Sequence, residues 1–110
     1  MSRKIIYDTQ ARQQIGEIYR YGKERFGPQT AARFKETLRQ TIALLKQHPL
    51  MGSVEPELST DCHEYRYLLV NPYKVIYSVT DETVRIHLLW HTGRDPRTMA
   101  RQMADDNRND

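Results

Sequence analysis

A chain of 110 residues, 38% hydrophobic and 28% charged, fits one globular domain and is too apolar for wholesale disorder. Its single cysteine, Cys62, excludes an internal disulfide and suits a reducing compartment. The formal net charge of +3 permits an anionic partner without demanding one. From His63 to Arg101, basic Arg66, Lys74, Arg85, Arg94, Arg97 and Arg101 stand against acidic Glu64, Asp81, Glu82 and Asp95. No apolar run approaches the roughly 20 residues that span a bilayer, and MSRKIIYD lacks the apolar core of a secretory signal. The expectation is a soluble cytoplasmic protein with no membrane partner.

In chain order, RKIIY at 3–7 is a short β-branched run, followed by two good helix N-caps, Asp8 and Thr9. The spacing of Ala11, Ile15, Ile18, Tyr19 and Gly22 predicts a helix over about 10–25. Gly27 stops it, and Pro28 sits where a new helix can start, since its missing N–H would be unpaired there anyway. Ala31, Phe34, Leu38, Ile42 and Leu45 mark one face of a second helix over about 29–47, so the pair forms an antiparallel hairpin. His48 and Pro49 end it, and the acidic stretch 51–61 reads as loop.

Three strands follow, at about 64–70, 73–79 and 84–90, broken by Asn71-Pro72 and Asp81-Glu82. In the second, Tyr73, Val75, Tyr77 and Val79 alternate with Lys74, Ile76 and Ser78. In the third, Val84, Ile86, Leu88 and Trp90 alternate with Arg85, His87 and Leu89. Strict alternation predicts one sheet face packed on the helices and the other at least partly wet. Gly93 to Pro96 closes the last strand, a short helix is expected over 97–104, and 105–110 reads as a frayed polar tail on a single domain spanning 1–104. The fold class is α+β: a strand, a helical hairpin on one face of the sheet, then a three-stranded antiparallel meander.

Several residues carry candidate chemistry. His91 at a strand end fits either an acid–base residue or a strand cap, and His87 a half-exposed face. Arg94 and Arg97 fit a phosphate or an acidic protein patch, or a solvated loop in which Arg94 pairs with Asp95 or with a helix end. Arg66 and Lys74 line a polar sheet face or serve as edge charges; strand parity does not decide whether they share a face. Tyr65, Tyr67, Tyr73, Tyr77 and Trp90 read as core and cross-strand packing rather than as base-stacking platforms. Cys62 and His63 lack a partner pair at zinc-site spacing, so no metal and no cofactor is expected.

The ordered set of HPLMG, YR, YKVIY and VRIHLLWH followed by R-D-P resembles the RelE/ParE superfamily of bacterial type II toxins, over about residues 4–97. The resemblance implies a twisted antiparallel sheet with both helices on one face. It also implies a cognate antitoxin, ParD-like or other, that wraps the toxin in a hetero-oligomeric complex. RelE-like members cut ribosome-bound messenger RNA with sheet arginines and lysines plus a late tyrosine; ParE-like members poison DNA gyrase and are not nucleases. Here Lys74 stands where RelE-like chains carry an arginine, and no Tyr, Phe or Trp follows Trp90. The end WHTGRDP resembles the ParE-like branch, which implies a gyrase inhibitor with target contacts at Trp90, His91, Arg94 and Arg97 and no catalytic residues. Antitoxin contacts are expected at Phe34, Leu38 and Ile42. The alternative is a RelE-like endonuclease that uses Arg66, Lys74, His91 and Arg94.

Overall fold

The computed structural model describes residues 2–109, with the backbone alone for 105–109. Strand β1 (Lys4–Tyr7) leads into helices α1 (Thr9–Phe26) and α2 (Pro28–Ala43), the latter drawn out by a 3-10 turn, Leu44–Lys46. Strands β2 (Ser53–Val54), β3 (Arg66–Val70), β4 (Tyr73–Val79) and β5 (Thr83–His91) follow, and a second 3-10 turn, Pro96–Thr98, opens α3 (Met99–Asn109). The helices break where the sequence says they should. Gly27 takes φ 95°, a region that penalises any Cβ, its N–H donates to the Lys23 carbonyl, and Pro28 starts the next helix.

The sheet is mixed, in the order β1-β5-β4-β3-β2. The meander is antiparallel as expected, and β1 adds to it in parallel beside β5, with Tyr7 opposite Ile86. Within the stretch expected to be loop, Ser53 and Val54 pair with Tyr67 and Arg66. Gly52, just before them, is obligatory: a Cβ there would lie 2.5 Å from the Tyr67 carbonyl oxygen and 2.6 Å from the Tyr77 hydroxyl. The α3 backbone stays helical to Asn109, past the residue where a frayed tail was expected; Asp110 lies outside the described residues.

Two cores flank the sheet. On the first face Ala11, Leu38, Ile42 and Leu45 pack on Leu68, Val70, Val75, Tyr77, Val84, Ile86 and Leu89. On the second, Ile76, Leu88 and Trp90 are closed over by Met99 and Met103 of α3, with Leu58, Tyr65 and Tyr67 at the margin. The second face is therefore drier than the alternation suggested. Its dryness comes from a bulge. Ile76 pairs with Leu88 but Tyr77 pairs with Ile86, so His87 is an extra residue with no opposite number. A one-residue slip flips every later side chain. Leu89 goes to the helix face, while Leu88 and Trp90 join Arg85 and His87 on the other, against the simple alternation read from sequence. Each large side chain so buried contributes about 1.5–3 kcal/mol.

Candidate functional site

The carboxyl end of β5 carries most of the candidate residues, and the two faces divide them. Trp90 lies opposite Lys74, and His91 opposite Tyr73. Trp90 and Lys74 thus point to the α3 side, whereas His91 and Tyr73 point to the helical hairpin.

On the α3 side, Trp90 is 1% exposed, so its expected role as a direct target contact is corrected: it is a floor. The Arg94 guanidinium lies 4.0 Å from the centroid of its ring, a cation–π stack. Nη1 of Arg94 donates to Oε1 of Gln102 on α3 at 3.0 Å, and the Arg94 N–H donates to the His91 carbonyl at 3.0 Å. Ring, helix and turn together hold an exposed planar cation that no carboxylate neutralises among the described residues. The sequence-based alternative of an Arg94–Asp95 pair does not occur. Asp95 instead takes Arg97, with Nη2 to Oδ2 at 2.8 Å, and that pair holds the Asp95 carboxyl below its usual range. Both side chains are well exposed, so the pair contributes little to stability.

Lys74 is a second cation on an aromatic, its Nζ 4.3 Å from the Tyr67 ring centroid, but it is neutralised by Glu55 at 2.9 Å. Arg66 sits on the opposite face, paired across the strands with Tyr77. Its Nη1 donates to the carbonyls of Gly52 (2.6 Å) and Leu50 (3.3 Å), and its Nε to Glu64 (2.6 Å), so it fastens the loop before β2.

On the hairpin side, Nδ1 of His91 accepts the Gly93 N–H at 2.9 Å, which leaves the proton of the neutral ring on Nε2. The ring meets Tyr73 edge-on, 5.3 Å between centroids, and Tyr73 meets Phe34 at 5.9 Å. These three line a groove of about 550 Å³ together with Ile18, Tyr21 and Phe26. Tyr21 and Phe26 are 55% and 65% exposed, large for aromatic side chains. Of the three expected antitoxin contacts only Phe34 reaches this groove. Leu38 and Ile42 are 2% and 1% exposed and belong to the core beneath it, a correction to the sequence reading. The hairpin is strongly basic in sequence, with Arg12, Arg20, Lys23, Arg25, Arg33, Lys35 and Arg39 against Glu17, Glu24 and Glu36, and Lys23 and Arg25 lie over the groove residues Tyr19 and Tyr21.

The buried polar groups Asp8, Glu55 and His87 escaped the sequence reading. Asp8 precedes α1 but makes no capping bond; its carboxylate turns to Arg85 and to Nδ1 of His87. Gln14 of α1 completes the free edge of β5 instead, donating to the Leu89 carbonyl at 2.9 Å and accepting the Leu89 N–H at 2.8 Å. Among the described residues no three His, Cys, Asp or Glu side chains gather as a metal site, and no helix is long and apolar enough to cross a membrane.

Comparison with known proteins fits this arrangement. A chain from a chromosomal ParDE toxin–antitoxin system of P. aeruginosa superposes with a TM-score of 0.67, covering 82% of this chain and 96% of that one at 16% identity. At that identity the likeness is one of fold. No curated protein matches the chain. The family model described as "ParE toxin of type II toxin-antitoxin system, parDE" matches residues 5–96, from β1 through the Arg94 turn. The chain therefore belongs to the ParE toxin family of type II toxin–antitoxin systems.

Proposed function

We propose that this toxin inhibits DNA gyrase by binding it, without chemistry of its own, and that a cognate ParD-like antitoxin neutralises it from the hairpin side. The observation that carries the first half is the dispersal of the four residues an RNA-cleaving site would need. Arg66 and His91 face the helices, Lys74 and Arg94 face α3, and Lys74 and Arg66 are already committed to protein partners. General acid–base cleavage needs its groups within hydrogen-bond reach of one phosphate. What remains of the four is Arg94, a preorganised cation that no carboxylate neutralises among the described residues, with the Asp95-paired Arg97 beside it, suited to an acidic protein surface.

The antitoxin half rests on the groove lined by Phe34, Tyr73 and His91, apolar within, with Lys23 over the Tyr19 ring and Arg25 over the Tyr21 ring at its margin. That combination suits an acidic amphipathic segment with a bulky apolar anchor.

The test is a gyrase supercoiling and DNA-cleavage assay with purified toxin. Inhibition of supercoiling with accumulation of cleaved DNA is expected, and its loss in Arg94→Ala. Unchanged gyrase together with codon-specific cleavage of ribosome-bound message would overturn the proposal in favour of a RelE-like endonuclease.

A further inference from the structure

At the other end of β4 and β5 lies a cluster that a gyrase-binding role does not use. Nδ1 of His87 is 2.9 Å from Oδ2 of Asp8, and Nε2 is 2.7 Å from Oγ of Ser78. A carboxylate only accepts, so Nδ1 carries the ring proton. On the neutral ring Nε2 is then an acceptor, and the Ser78 hydroxyl donates to it. The neutral ring is the form favoured at pH 7, because burial pulls the His87 pKa below its ordinary 6.5, outweighing the upward pull of Asp8.

Each member is held from outside the cluster. Arg85 pairs with the other oxygen of Asp8, and Tyr65 packs edge-on against the imidazole, 5.3 Å between centroids. The β5 bulge supplies the extra residue that is His87 itself. Ser78 is half-buried and lines a surface cavity of about 190 Å³ with Arg3, Leu50, Glu64, Arg66 and Thr80, at the edge where β3 stops. The Thr80 N–H donates to Thr83, so by ladder alternation the Val79 N–H turns away from β5 toward that unpaired edge. A backbone donor one residue after a serine is a recurrent oxyanion partner.

We infer that the Asp8–His87–Ser78 relay makes Ser78 an activated nucleophile toward small acyl esters that enter the cavity at the β4 edge. Ser78 Oγ bonds to the acyl carbon while its proton passes to Nε2 of His87. The carbonyl oxygen becomes the tetrahedral oxyanion beside the Val79 N–H. Collapse breaks the ester C–O bond, and His87 returns the proton to the departing alkoxide. Water repeats the sequence on the acyl-serine and releases the acid. Asp8 acts through His87 and is a positioning residue.

A fluorophosphonate probe reports the nucleophile directly: the Ser78 O–P bond forms, P–F breaks and fluoride leaves. Full-length protein is treated with the probe, and adducts are located by intact mass and peptide mapping. One adduct is expected, on Ser78, absent in Ser78→Ala and formed about a hundredfold more slowly in His87→Gln. Parallel losses are expected in p-nitrophenyl acetate hydrolysis. The groups facing His87 are Asp8, Arg85, His63 and Tyr65. Asp8→Asn removes the only one that raises its pKa, so the pH midpoint of labelling moves down. Wild-type protein unlabelled at Ser78, or labelling at an undiminished rate in folded His87→Gln, would overturn the inference. Gyrase inhibition by Ser78→Ala is expected to be unchanged, which keeps this test separate from the proposed toxicity.

Discussion

Nζ of Lys74 lies 2.9 Å from Oε1 of Glu55, whose residue has no solvent exposure, while the lysine side chain stays 23% exposed. The pair pins the segment after β2 to the middle of the sheet, and the second Glu55 oxygen takes the Glu57 N–H at 3.2 Å. Removing the lysine alone strands a buried carboxylate. Lys74→Ala is expected to cost about 3 kcal/mol in urea unfolding, somewhat less than a fully enclosed pair because the lysine meets water. Lys74→Met combined with Glu55→Leu removes both charges and is expected to recover most of the loss. A double variant no more stable than Lys74→Ala would show that the pair is not what holds the segment.

His87 makes stability depend on pH. Burial, the largest influence, lowers its pKa in the folded protein below the 6.5 of a free side chain. Protonation therefore favours the unfolded chain. The stabilisation is complete above pH 6.5 and is lost as pH falls from there toward the folded pKa. Melting temperature is expected to fall between pH 7.5 and 5, and less steeply in His87→Gln. Equal slopes in both proteins would remove His87 as the cause.

Trp90 is both a core residue and the floor of the Arg94 stack, and the two roles separate by substitution. Its Nε1 is buried with no partner among the described residues, so Trp90→Phe sacrifices no hydrogen bond. Trp90→Ala is expected to lose about 3–5 kcal/mol, and Trp90→Phe about 1 kcal/mol. Trp90→Phe keeps a ring under Arg94 and should retain gyrase inhibition at a raised concentration. Arg94→Lys keeps the charge without the planar stack and is expected to inhibit more weakly than Trp90→Phe.

The sequence made the helical hairpin legible because Gly27 and Pro28 act locally, through φ and a missing donor. The strands of the meander were legible for the same reason, bounded by Asn71-Pro72 and Asp81-Glu82. What it hid is non-local. VRIHLLWH is apolar at both parities around Leu88 and Leu89, so no periodicity reveals that His87 is a bulge and that Trp90 has changed face. The faces of Arg66 and Lys74 depend on a turn of two residues whose length the sequence left open. Glu55 looked like one acid in an acidic loop, and only the folded position of Lys74 accounts for its burial.

His91 and Arg94 stand three residues apart in sequence and on different sides of the sheet. That division predicts that neutralisation and toxicity are separable. Phe34→Asp puts a charge into the apolar groove shared with Tyr73 and His91, and Lys23 and Arg25 at its margin favour an acidic partner only if its apolar anchor still enters. Antitoxin affinity, measured by calorimetry, is expected to fall at least about a hundredfold, with gyrase inhibition by the free toxin retained. Arg94→Ala is expected to do the reverse, because its guanidinium lies over Trp90 and against α3, away from the groove. The double readout is sharp: a substitution at either place that weakens both activities in a folded protein would mean that one surface serves both partners. The antitoxin would then act by direct competition rather than from the far side of the sheet.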